Sequence, residues 1–141
     1  MIQVLALYAS ALGYPNVPTK ILQAIEVACS KEDPDCEADA VLYAAHESGF
    51  DAHPKAWSWD AKAGVSCGYW QTPCRTLPKT VTGQAEAWVA MRRSSLKSFG
   101  DLRGLAGATP AGERLARARK REREDVVFAA TWAAPSTEEP N

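Results

Sequence analysis

The sequence predicts a mainly α-helical single domain of about five to six helices with little or no β-sheet. Three observations predict it. Apolar residues recur at helical spacing in successive segments, glycine and proline mark the breaks between them, and only Val65 and Tyr69-Trp70 suggest short extended pieces. A chain of 141 residues suits one domain with a real core. The domain is expected over residues 1–132, with 133–141, rich in Pro, Glu and Ser, as a disordered tail.

In residues 2–12, Ile2, Leu5, Ala6, Ala9 and Leu12 share a helical face that stops at Gly13. The stretch lacks an early Lys or Arg and a clear cleavage site, so it reads as a helix of the domain rather than a signal peptide. Thr19 is the expected cap of a second helix bearing Ile21, Leu22, Ile25, Ala28 and Cys29. A third helix is expected from about Cys36 to Ser48, burying Ala38, Val41, Leu42 and Ala45, with Tyr43 and Glu47 together on another face. Residues 51–78 lose the helical period and read as a long, functional loop.

Thr82 or Gly83 is expected to open the next helix, with Ala85, Val89, Leu96 and Phe99 inward and Gly100 at its end. Residues 100–112 read as another loop. A last helix runs from Pro110 or Ala111 to about Thr131, laced by pairs such as Glu113 with Arg117 and Arg121 with Asp125.

Sixteen basic and seventeen acidic residues nearly cancel, which gives no reason to expect nucleic acid as a partner. The cluster Arg114, Arg117, Arg119, Lys120, Arg121 and Arg123 reads as a solvated helix face beside its own acids. No apolar run approaches a membrane span, and no cofactor is expected. Cys29 with Cys36 and Cys67 with Cys74 have a spacing that argues against zinc. They are disulfide candidates, or else buried thiols acting as small hydrophobes. Trp57, Trp59, Tyr69 and Trp70 fall within fourteen residues, a density that suits either sugar stacking or a small aromatic core.

Glu47 stands in the last turn of an apolar helix, ahead of the stop Ser48-Gly49-Phe50. The negative end of the helix dipole and partial desolvation both raise a carboxyl pKa there. A carboxylic acid that keeps its proton near neutrality serves as a general acid. Further along come Asp60 and the polar, aromatic turn Ser66-Cys67-Gly68-Tyr69-Trp70-Gln71, which can fold back against Glu47. His46 is adjacent, but neighbouring helical residues point about 100° apart, so it is expected behind the site.

The order helix, Glu47-Ser48-Gly49-Phe50, small-residue loop, Gly68-Tyr69-Trp70-Gln71 resembles the catalytic half of lytic transglycosylases and goose-type lysozymes. The resemblance covers residues 38–71 and, more weakly, the helix of residues 84–100. It implies a lysozyme-like fold, with Glu47 as the catalytic acid, Ser48 supporting substrate or acid, Gly68 giving the tight turn and Gln71 holding the sugar. Asp60 stands where some related muramidases carry a second acid. Tyr69, Trp70 and Tyr43 are the further substrate-binding candidates. The tyrosine that the family carries after the later helix is absent from Leu102-Arg103-Gly104-Leu105-Ala106-Gly107, with Tyr43 or Tyr69 as replacements.

The implied substrate is the peptidoglycan glycan strand. Glu47 would protonate the oxygen between N-acetylmuramic acid and N-acetylglucosamine at an oxocarbenium-like transition state. With Asp60 opposite it, water would be activated and the bond hydrolysed. Without it, Glu47 would act as acid and then base to leave a 1,6-anhydro end. The expected setting is a phage endolysin or virion component acting outside the cytosol, alongside other virion or tail proteins. The rival expectation is an inactive, wall-binding virion component of the same fold. The bland alternatives are an exposed helix-end carboxylate for Glu47, a turn residue for Asp60 and a loop-bracing amide for Gln71.

Overall fold

A computed structural model describes residues 2–51, 66–73 and 77–133. Five α-helices carry the chain: α1 (Ile2–Ala11), α2 (Thr19–Ala28), α3 (Cys36–Ser48), α4 (Val81–Phe99) and α5 (Pro110–Ala133). Two strands of two residues, β1 (Ser66–Cys67) and β2 (Thr72–Pro73), pair antiparallel with Cys67 opposite Thr72. The mainly helical expectation holds.

α3 is the axis of the fold. From Cys36 to Ala45 every residue except Glu37 is buried, because α1, α2, α4 and α5 all pack against it. Its small residues Ala38, Ala40, Ala44 and Ala45 let those neighbours approach closely, while Val41 and Leu42 fill the space between them. Each fully buried Leu or Ile contributes roughly 1.5–3 kcal/mol, and Leu5, Ile21, Ile25 and Leu42 are all fully enclosed. The Cys29–Cys36 disulfide joins the end of α2 to the start of α3 across residues 30–35, as the cysteine spacing allows. Cys67 is buried under the hairpin and no described cysteine is a free thiol; Cys74 lies outside the described residues.

Several boundaries differ from the expectations, each for a local reason. Thr19 is the first residue of α2 and not its cap, since Pro18 occupies the cap position and offers no side-chain bond. α4 starts earlier than expected because the Thr80 hydroxyl accepts from the Gly83 N–H at 3.1 Å, satisfying an otherwise orphaned donor. Residues 100–112 are not all loop. The Asp101 carboxylate caps a 3-10 helix, Leu102–Ala106, by accepting from Arg103 N at 2.9 Å.

Phe99 is 44% exposed rather than inward, lying under the Arg103 guanidinium at 5.8 Å. Tyr69 and Trp70 sit in the turn between β1 and β2 and not in extended chain. α5 carries the expected Glu113–Arg117 pair at 3.2 Å. Arg121 and Asp125 are both exposed and form no ion pair among the described residues. α5 runs through Ala133, the first residue assigned to the expected tail, because the helix continues past Thr131, and the rest of that tail, 134–141, lies outside the described residues.

Candidate active site at the end of α3

Gly49 ends α3 in the left-handed conformation, φ 63°, and its N–H returns to the carbonyls of Ala44 and Ala45. A Cβ there would meet the Tyr14 hydroxyl at 3.3 Å, and Tyr14 stacks edge-on against Phe50 at 5.2 Å. The end of α3 is thereby pinned to the segment after α1. Glu47 occupies the last turn of this pinned end and is exposed. Packing around the carboxyl still pushes its pKa above the ordinary glutamate range by partial desolvation, against the pull of Arg119 and His46. The helix C-terminus acts in the same direction as the desolvation. His46 turns away from Glu47 to bond Glu122 on α5 through Nε2 at 2.5 Å, as expected from the angular separation of neighbours on a helix.

The turn 68–71 folds onto α3. Trp70 Nε1 donates to the Ala40 carbonyl at 2.8 Å, seven residues before Glu47, or roughly 10 Å along the helix axis. Burial and then the Asp51 charge raise the Tyr69 pKa, so the Tyr69 hydroxyl senses the chain just past Glu47. Gly68 has φ 78°, and a Cβ there would lie 2.5 Å from Gln84 Oε1 and 2.9 Å from Leu77 Cδ2. Only glycine fits this position. Gln84, fully buried on α4, accepts from Tyr69 N at 3.1 Å and donates to the Lys79 carbonyl at 3.3 Å. It locks the turn to α4. Sequence reasoning passed over Gln84, although an amide one residue before the buried stripe of Ala85, Trp88 and Val89 was the signal.

Other candidates are occupied in holding the site's shape. The Ser48 hydroxyl donates back to the Ala44 carbonyl at 3.2 Å. Gln71 adopts φ 48° and donates through Nε2 to the Gly68 carbonyl at 2.8 Å, bracing its own turn. Trp70 and Tyr69 are buried; Trp70 stacks on Trp88 at 6.3 Å, and Trp88 contacts Tyr43 at 5.5 Å. These rings belong to the core, with Tyr69 at its edge. Asp60, Trp57 and Trp59 lie outside the described residues.

Tyr43 stands one helical turn before Glu47, whose charge, after burial and the Asp39 charge, is among the causes that raise the phenol's pKa. It lines a cavity of about 490 Å³ between α3, α4, the 3-10 helix and α5, whose described lining does not include Glu47. Arg92 crosses the cavity floor. Its guanidinium donates to both oxygens of Asp33 at 2.7 and 2.8 Å and twice to Asp39 at 2.9 and 3.1 Å. Arg123 adds a third contact to Asp39 at 3.3 Å.

Arg92 and Asp39 are each 2% exposed, so this is a desolvated ion cluster. The Arg92 hydrogen bonds hold Asp33 below the ordinary aspartate range. Burial pushes Asp39 above it, against Arg123 and Arg92. Sequence reasoning missed the cluster and assigned Arg123 to a solvated face, whereas Arg119 does pair with Glu122 of its own helix at 3.7 Å. The available signal was phase, since Asp39 falls inside the apolar run of α3 and Arg92 continues the Ala85, Trp88, Val89 stripe.

Among the described residues no group of three or more His, Cys, Asp or Glu could hold a metal ion, and no helix is long and apolar enough to cross a membrane. No protein-family model matches the chain, and no curated protein or solved structure matches it either.

Proposed function

We propose that the chain is a lysozyme-like glycosidase that cleaves the β-1,4 bond between N-acetylmuramic acid and N-acetylglucosamine in peptidoglycan, with Glu47 as general acid. The single observation that carries the reading is the state of Glu47. It is a helix-end carboxyl reachable from solvent, yet desolvated enough to sit above its ordinary pKa. That combination suits proton donation to a leaving glycosidic oxygen. The turn 68–71 is seated on the same helix through Trp70, which donates to the Ala40 carbonyl. In this account Ser48 and Gln71 shape the site through backbone bonds, and Tyr14 and Phe50 are the aromatics packed at the end of α3.

Turnover of purified peptidoglycan by the wild type and Glu47→Gln, followed by product masses, tests the proposal. Loss of turnover in Glu47→Gln is expected, and equal activity in both proteins ends the catalytic claim. Anhydro ends would assign transglycosylase chemistry, whereas reducing ends would assign hydrolysis and make Asp60→Asn the next variant. The inward commitment of the Ser48 and Gln71 side chains favours a second reading, a wall-binding component of a virion with the same fold and little or no activity. Binding to peptidoglycan without turnover would select it.

A further inference from the structure

α5 carries an outward row that no described residue covers. Gly112, Ala116, Val126 and Ala130 turn one side of this 24-residue helix into the fold. On the opposite side Arg114, Ala118, Arg121, Asp125, Phe128 and Trp132 follow one another at alternating steps of four and three residues, and every one is exposed. They form a row about 27 Å long. Any outward helix row has this spacing; the order of residue types along it sets this one apart.

Aromatic rings stand at one end. Phe128 is 66% and Trp132 76% exposed, with ring centroids 6.0 Å apart. Large rings left side by side in water mark an interaction surface. Toward the other end, Arg114, Arg121 and Asp125 form no ion pair among the described residues. Arg121 precedes Asp125 by one helical turn, the less favourable order for pairing within a helix. Both charges are left for a partner.

The row is complementary to its own reverse. When a second copy lies antiparallel about a two-fold axis at the level of Arg123, Arg114 meets the second copy's Trp132, Ala118 meets its Phe128 and Arg121 meets its Asp125. The symmetry repeats each match. A guanidinium over an indole, a small residue under a ring and an ion pair are all favourable. Glu124, also exposed and unpaired among the described residues, offers the incoming Arg121 a second carboxylate. Parallel pairing instead sets Arg114 on Arg114, Arg121 on Arg121 and Asp125 on Asp125, which like-charge repulsion disfavours. An anionic surface would meet Glu124 and Asp125 between the arginines and the rings.

We propose that the chain self-associates through this face of α5 as an antiparallel two-fold dimer. Arg121 of each copy pairs with Asp125 of the other, and Ala118 and Arg114 of each cover the other's Phe128 and Trp132.

Sedimentation velocity of the full chain, from about 1 to about 500 µM at low salt, reads the association. A dimer with a dissociation constant of about 1–100 µM is expected from so narrow a seam. Arg121→Asp alone, or Asp125→Arg alone, places like charges opposite each other twice and should weaken the dimer about tenfold or more. An equimolar mixture of the two variants sets every carboxylate against a guanidinium, so it should form a heterodimer about as tight as the wild type. Phe128→Ala with Trp132→Ala should also weaken association about tenfold or more. These positions are exposed, so helical circular dichroism should stay that of the wild type.

A monomer at about 500 µM, a dimer indifferent to the charge variants, or a mixture no tighter than either variant alone overturns the proposal. A chain that stays monomeric yet is held by peptidoglycan or anionic vesicles through Phe128 and Trp132 also overturns it, and gives the face to that surface.

Discussion

At its N-terminal half α3 is held by buried charges that come from far along the chain, whereas its C-terminal end is shaped mostly by glycines and by bonds within a few residues, with His46 to Glu122 as an exposed long-range bond. Asp39 meets Arg92 across 53 residues and Arg123 across 84. Near Glu47 the determining contacts are Ser48 to Ala44, Gly49 to Ala44 and Ala45, and Gln71 to Gly68. The first half fixes the fold by long-range pairing that is costly to break. The second shapes a surface feature through local chemistry, with few long-range bonds to lose.

The largest expected effect on stability breaks the first half. Arg92→Ala leaves Asp39 buried without its main partner and should destabilise the fold by about 3–5 kcal/mol, read as a lower denaturant midpoint. Its share through Asp33, whose carboxyl is held low, is present above the ordinary aspartate pKa. That share is lost as pH falls through the lowered value. An unchanged midpoint would mean the two halves of α3 are not held differently. Reducing the Cys29–Cys36 link, which spans seven residues, should cost roughly 2 kcal/mol by loop entropy, measured by melts of the Cys29→Ser/Cys36→Ser protein.

In the second half, Gly68→Ala adds a Cβ at positive φ against Gln84 and Leu77. A loss of about 1–3 kcal/mol is expected, smaller than that of Arg92→Ala. Equal losses would merge the two regions.

The smallest effect concerns pH. The acid must be protonated to act, so turnover should fall as pH rises through a pKa above glutamate's ordinary 4.5. Arg119 lowers that pKa, so Arg119→Ala should move the falling limb to higher pH. A limb that moves down or stays put would dissociate Arg119 from Glu47.

The same division explains what was legible in the sequence. The bounds of α3 followed from the Ala38, Val41, Leu42, Ala45 period and from Gly49 as a stop, and the structure has them at Cys36–Ser48. Gly68 was legible as a tight turn because glycine at positive φ is a one-residue signal. Thr80 was missed as a cap because Thr80, Thr82 and Gly83 offer overlapping start signals. The Asp33, Asp39, Arg92, Arg123 cluster was not legible because charge pairing across the chain leaves no local spacing to read. Gln71 read as a sugar-holding amide, and its Nε2 bond to the Gly68 carbonyl serves the turn, since sequence pattern gives a side chain's identity but not its partner.

Glu47, the carboxyl at the end of α3, is proposed to act as a general acid. The most direct measurement is the rate of peptidoglycan turnover by Glu47→Gln relative to wild type, with both proteins shown to melt alike. A loss of about 10²- to 10⁴-fold is predicted for removing a positioned acid. A Glu47→Gln protein that turns over peptidoglycan at the wild-type rate would contradict it.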